Sequence, residues 1–475
     1  MPIDIEARIA RNPGDPAMRT VLEKLQGNIL RGHGRDHTRN LFVTFSATAD
    51  EIRAELIPLL AAIATSALQQ QVRDDKSGVQ PDRGPFANFF LSAAGYRELG
   101  FSSAQIRDCL PEHPPVASVQ ANFRDGMREH WRQLGDPHPD DWEIGYRSKI
   151  HALFLLADDD AARLDDTEQR VAKCLAKVGK LQVIERGQAL RNAAGQGFEH
   201  FGYADGRSQP IFFESQLASE GSTERWNPLE PLSLVLTPDR AGGDQDAFGS
   251  FYVFRKLEQN VREFHRREQV LADALGLTGH DRDRVGAMAV GRFRDGTPLV
   301  AAQRAHAATP LPNDFRFDNT RGRCPFHAHI RKVNPRGDLA ANIARPETEV
   351  ERNRRIVRRG IPYGQVPIPP WEDQPLDERP TAGVGLLFGC FQASIGRQFA
   401  FIQERWVNRT DFPDGDTGID PILGTPKAGD QNRWNLGWGS TDSKTIEFGR
   451  FVSMKGGEFF FAPSMPFLSV LRPPA

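Results

Sequence analysis

The chain predicts an α+β fold built from two ferredoxin-like units, and three observations carry that expectation. At 475 residues it is long enough for two half-chain globular units. The first half reads β-α-β twice over, which is the order of a ferredoxin-like unit, and the second half repeats the same grammar more loosely. The division is expected between 1–215 and 216–475. Residues 40–46, with Leu41, Phe42, Val43 and Phe45, have the composition of a strand. Asp50 is the expected cap of the following helix, in which Ile52, Leu56, Leu59, Leu60 and Ile63 keep the spacing of one buried face. Further strands are expected over 87–92, 150–157 and 181–186, with a helix over 165–178 between the last two. In the second half strands are expected over 232–237 and 250–256, followed by a charged amphipathic helix over 260–274. Later strands fall over 384–392 and 458–462, and a helix over 394–406. Stretches rich in Pro, Gly and charge at 310–323 and 363–381 read as long irregular connections, of a length that is usually functional. No short-period repeat is present, which argues against solenoids and propellers.

With 39% hydrophobic residues, 31 Phe and 26% charged residues, the sequence has material for substantial cores and is not that of a disordered chain. A formal net charge of -2 supplies no field to gather nucleic acid or acidic lipid, so neither is an expected partner. The densest basic run, Arg352-Asn353-Arg354-Arg355-Ile356-Val357-Arg358-Arg359, reads by itself as a solvated helix face. The first residues lack the basic and apolar regions of a secretory signal, and no stretch approaches the ~18 apolar residues of a membrane span. A cytoplasmic site is therefore expected, with a processed secreted chain as the alternative. Cys109, Cys174, Cys324 and Cys390 are scattered without a CxxC pair, which favours buried free thiols over a zinc module or a disulfide scaffold.

Among twelve histidines, His327 and His329 stand two apart, so on a strand both would share one face. No HExxH motif or further ligand cluster completes a zinc site around them. A centre that needs only one strong protein ligand would be served by a single neutral imidazole, with a Cys324 thiolate as the minor alternative. His329 lies in Cys324-Pro325-Phe326-His327-Ala328-His329-Ile330-Arg331-Lys332-Val333-Asn334-Pro335-Arg336. Two other runs are unusual: Gly202-Tyr203-Ala204-Asp205-Gly206-Arg207-Ser208-Gln209-Pro210 and Arg358-Arg359-Gly360-Ile361-Pro362-Tyr363-Gly364.

Together these runs resemble the dye-decolourising peroxidases, haem enzymes that oxidise bulky substrates with hydrogen peroxide. The likeness extends to 25–35, 398–408 and 456–464, and so spans about residues 22–468. It implies a duplicated ferredoxin-like arrangement of the dimeric α+β barrel type, with haem b as cofactor. It makes His329, rather than His327, the iron ligand, and Arg336 the partner of a haem propionate, with Arg331 a second cation nearby. Asp205 of the GxxDG signature becomes the acid–base group for peroxide, and Arg358, with Arg359 as its rival, the cation that offsets charge on the departing oxygen. Leu386 and Phe388 resemble the apolar lining of the distal pocket. Asp420 is the candidate carboxylate behind the proximal histidine, with Asp416 as second choice. The implied reaction reduces hydrogen peroxide and oxidises aromatic donors such as anthraquinone dyes and phenols through a ferryl intermediate. The alternative is a haem-binding or haem-handling protein with little turnover. Of five Tyr and seven Trp, Tyr363 and Trp406 are the candidates to carry electrons from a bulky donor at the surface. A monomer and a homodimer are both compatible with the sequence.

Overall fold

Four strands of the first half are β1 (His37–Phe45), β2 (Phe86–Leu91), β3 (Ala152–Asp158) and β4 (Gly179–Gln188). They hydrogen-bond in the order β4-β1-β3-β2, all antiparallel. Helix α1 (Ala49–Ile63) joins β1 to β2, and α2 (Ala161–Val178) joins β3 to β4. The second half supplies β5 (Phe248–Gln259), β6 (Ile361–Tyr363), β7 (Gly385–Gln392) and β8 (Val452–Ala462), in the order β8-β5-β7-β6. Here α3 (Val261–Ala274) follows β5, and a helical segment that begins at Phe399–Phe401 and widens to a π-helix over Ile402–Val407 follows β7. Both sets therefore have the ferredoxin-like 4-1-3-2 order. The computed structural model describes residues 3–76, 83–116, 118–305, 313–317, 320–339, 349–427 and 429–474.

The two sets join at both edges. β2 pairs with β8 at Leu91–Phe461, and β4 pairs with β6 at Gly187–Tyr363. The eight strands thus close into an antiparallel barrel, which removes the unpaired edges that either set would expose alone. Its sequences fit this setting. β2 and β3 are buried at every position, as their near-continuous apolar runs require. Rings from opposite halves meet in the core: Phe42 lies 4.7 Å from Phe254, and Phe90 stacks on Tyr252 at 4.6 Å.

Most expected elements appear, with three corrections. Thr48, not Asp50, caps α1, because Thr48 accepts from the Glu51 amide while Glu51 returns a bond to the Thr48 amide. Residues 232–237 form a 3-10 turn, Leu232–Leu234, and only Thr237–Pro238 pairs briefly with β5; Pro231 and Pro238 bound the stretch and cannot donate to a ladder. The expected helix over 394–406 starts only at Phe399, since the Gln398 side chain accepts from the amides of Ala393 and Ser394 and holds that segment in turns. The connection at 363–381 is mostly irregular, as expected; part of the one at 310–323 lies outside the described residues.

Gly385 sits in the closing seam, opposite both Tyr363 and Glu258. A Cβ there would stand 2.0 Å from the Leu257 carbonyl oxygen, whereas one on Gly197 would meet nothing within 4 Å. Gly385→Ala should cost about 1–3 kcal/mol of stability and Gly197→Ala less than about 0.5 kcal/mol. Denaturant midpoints that fall equally in the two variants would contradict this packing.

Candidate active site

A cavity of about 330 Å³ lies against the second set of strands. In β7, burial alternates so that Leu387 enters the core while Leu386 and Phe388 turn outward and line the cavity. Facing residues come from the loop after β4, from α4 (His329–Val333) and from the Phe399–Val407 segment. The cavity brings together Asp205, His329, Arg336, Arg358, Leu386 and Phe388.

His329 is the first residue of α4, and its Nδ1 lies 2.7 Å from Asp420 Oδ2. A carboxylate can only accept, so Nδ1 carries the proton and Nε2 is the ring nitrogen left to meet a ligand. Asp420 is fully buried, and its other oxygen accepts from the amides of Ile422 (2.8 Å) and Leu423 (3.0 Å). Burial opposes its ionisation, but His329 and these amides prevail and hold the carboxyl below its ordinary pKa. Asp416 is exposed and pairs with Arg433 instead. His327 is not on a shared strand face. It packs into the core 4.5 Å from Trp434, outside the cavity, where burial and Lys332 push its pKa down to about 3.

The GxxDG loop needs its first glycine. Gly202 has φ +86°, and a Cβ there would lie 2.5 Å from the Pro370 carbonyl oxygen. The loop is pinned by the Asp205 amide on Gly197 O at 3.0 Å, while Asp205 Oδ1 accepts from the Gly206 amide at 2.6 Å. Arg358 Nη1 stands 3.7 Å from the same Oδ1, with about a third of each side chain exposed (36% and 33%). Its Nη2 donates to Arg207 O and its amide to Gln209 Oε1, so the motif itself positions the cation. Arg359 points away and donates to the carbonyls of Asn28 and Ile29.

Arg336 lines the cavity in a tight frame. It donates to Asn313 O, Phe315 O and Ser208 Oγ, and its guanidinium lies 3.6 Å from the Trp226 ring centroid. Arg331 does not reach the cavity; it is fully buried in a two-pronged pair with Asp338. The basic run at 352–359 is not a solvated helix face either, since Arg352 and Arg355 both reach the buried Glu230. Tyr363 and Trp406 are buried and do not line the cavity: Lys256 Nζ sits 5.0 Å above the Tyr363 ring, and Trp406 stacks on Phe412 at 5.0 Å. Any path through them runs inside the protein.

Two lining groups escaped the sequence reading. Arg292 is buried and shares Ser208 and Asn313 with Arg336; burial, with Arg207 and Arg358 nearby, pushes its pKa down to about 9. Glu199 lies three residues before Gly202 and accepts from the amides of Phe201 and Tyr203 and from Gln259. Burial, only partly offset by those bonds, pushes it up to about 7. No motif marks Arg292, but Glu199 could have been suspected from its place beside the signature.

With a folded pKa of about 7 against an ordinary 4.5, Glu199 binds its proton more tightly in the folded state. The resulting stabilisation is complete below the unfolded value and is lost as pH rises through the folded one. Glu199→Gln stays neutral throughout, so its Tm relative to wild type should be higher at alkaline than at mildly acidic pH. A Tm difference that does not change with pH would contradict this.

Comparison with known proteins agrees with the geometry. A family model described as the DyP dimeric alpha+beta barrel domain matches residues 24–189. The chain is 38% identical over 484 residues to the multifunctional dye peroxidase DyP2 of an Amycolatopsis species, covering 99% of this chain and 100% of that protein. The solved structure of DyP2 superposes with a TM-score of 0.88 over 98% of this chain and 100% of that one. A DyP-type peroxidase from Anabaena sp., also 38% identical, gives 0.85 over 95% of each chain. A dye-decolourising peroxidase solved with 2,6-dimethoxyphenol, 28% identical, gives 0.75 over 94% of this chain and 98% of that one. Since the likeness holds over nearly the whole length, in sequence and in barrel alike, the chain belongs to the dye-decolourising peroxidase family and is a peroxidase.

Proposed function

We propose that the cavity holds haem b through His329 and that Asp205 and Arg358 cleave hydrogen peroxide there. The observation that carries this reading is one cavity lined by an imidazole anchored on a buried carboxylate and by an acid–cation pair. The residues present suit the group. Leu386, Phe388, Ile330 and Val333 offer apolar contact to a macrocycle, and Arg336, Arg292 and Arg207 offer charge for its propionates. When bound, haem supplies a redox-active iron that stores the oxidising equivalents of peroxide.

The protein's own part follows from its side chains. Asp205 takes a proton from one oxygen of hydrogen peroxide and returns it to the other, which departs as water. Arg358 offsets the negative charge that builds on that departing oxygen. Asp420 keeps the proton of His329 on Nδ1, so that Nε2 presents its lone pair and gains basicity. We take aromatic donors, phenols and dyes, as the reducing substrates, the class that the relatives' names and the bound dimethoxyphenol suggest. With the two units taken as 1–215 and 216–475, the acid–base carboxylate comes from the first, and the ligand and the cation from the second. Mere haem storage would leave Asp205 and Arg358 without a task.

His329→Ala should lose most of its haem absorbance on purification while His327→Ala keeps it, because only one of the two imidazoles lines the cavity. In the haem-loaded protein, Asp205→Asn should slow peroxide cleavage in stopped flow by about 10²–10⁴-fold. Retention of haem by His329→Ala would remove the ligand assignment, and an unchanged rate in Asp205→Asn the acid–base one.

A further inference from the structure

The loop that carries Asp205 is shaped by one side chain. Glu199 Oε2 accepts from the Phe201 amide and Oε1 from the Tyr203 amide, both at 2.9 Å. Its backbone closes the same turn, since the Glu199 amide donates to Tyr203 O at 3.2 Å and its carbonyl accepts from the Gly202 amide at 2.9 Å. Four hydrogen bonds thus tie Glu199 to three successive residues, and Asp205 follows two positions later. An irregular loop has no ladder to satisfy its amides, and here a carboxylate takes that part.

The clamp is itself anchored on the barrel. Gln259, the buried last residue of β5, donates from Nε2 to Glu199 Oε2 at 2.5 Å, and its own amide is held on Val384 O at 2.9 Å. The side chains of the clamped residues dock on α3, where Phe201 stacks on Phe264 at 4.3 Å and the Tyr203 hydroxyl donates to Glu268 at 2.9 Å. Backbone and side chains of the loop are therefore both fixed before the chain reaches Asp205. The Asp205 carboxylate has little hold of its own: among the described residues it accepts from the Gly206 amide and faces Arg358. Where it stands is decided by the backbone that carries it.

We infer that Glu199 is a positioning residue for peroxide cleavage: anchored on the barrel by Gln259, its carboxylate holds the Phe201 and Tyr203 amides and so sets where Asp205 stands opposite Arg358. The inference rests on the acid–base reading of Asp205 and adds to it the device that keeps the base in place. Proton transfer depends steeply on distance, and a base displaced by about 1 Å can lose about 10²-fold in rate.

Hydrogen–deuterium exchange of the segment 199–206 and stopped-flow peroxide cleavage test this together, on the enzyme as isolated with its cofactor. Glu199→Ala should exchange that segment about tenfold or more faster and slow cleavage by about 10–10²-fold. Because Glu199 acts through Asp205, the same substitution made in Asp205→Asn should change the rate by less than about twofold. Glu199→Gln keeps one acceptor oxygen and should recover part of both losses. Gln259→Leu removes the anchor and leaves the carboxylate; it should also speed exchange and slow cleavage by about threefold or more, and it carries the test if Glu199→Ala does not fold. Unchanged exchange in the folded variants, or equal slowing by Glu199→Ala in the wild-type and Asp205→Asn backgrounds, would overturn the inference. An unchanged rate in Asp205→Asn alone would instead overturn the acid–base reading beneath it.

Discussion

Asp420 is fully buried and needs three N–H donors to remain ionised there: the ring of His329 and the amides of Ile422 and Leu423. Much of the site follows from that requirement. The two amides fix the turn after Asp420, so the carboxylate has one direction in which to point, and the imidazole has one nitrogen left for chemistry. Because His329 begins α4, a ring anchored at this position also sets where Ile330 and Val333 meet the cavity. His327, two residues earlier, has no carboxylate hydrogen-bonded to its ring among the described residues and packs into the core against Trp434.

The barrel gives this anchor something rigid to act against. Neither ferredoxin-like set covers its own sheet edges, and each uses the other, at Leu91–Phe461 and Gly187–Tyr363, to do so. The cavity-forming segments are grafted on that frame: the GxxDG loop between β4 and β5, α4 between β5 and β6, and Arg358 three residues before β6. Asp205 follows β4 and Arg358 precedes β6, so these residues, far apart in sequence, meet where those two strands pair at Gly187–Tyr363.

Elements with a strong period or composition were legible in the sequence. The apolar stripe of α1 buries Ile52, Leu56 and Leu60 as its spacing implies, and the near-continuous apolar runs of β2 and β3 are buried throughout. What failed was local competition that a period does not reveal: Thr48 outbid Asp50 for the cap, and Gln398 held 394–398 out of a helix. At the site, the residues inside motifs, Asp205, His329, Arg336 and Arg358 among them, line one cavity. Glu199 was passed over although it stands three residues before the signature, and Arg292 was not legible because its role arises from contacts made across the fold with Ser208 and Asn313. The basic run at 352–359 misled for the same reason, its charge being answered by Glu230 more than a hundred residues away.

The most direct test of the account is the reduction potential of the haem-loaded protein in wild type and in Asp420→Asn. Replacing a buried carboxylate by a neutral amide weakens the bond to Nδ1–H and so makes the proposed ligand less basic, which favours the reduced metal. The account predicts a more positive potential in Asp420→Asn, with haem still bound. An unchanged potential would show that the His329–Asp420 pair does not govern the metal and would contradict the central claim.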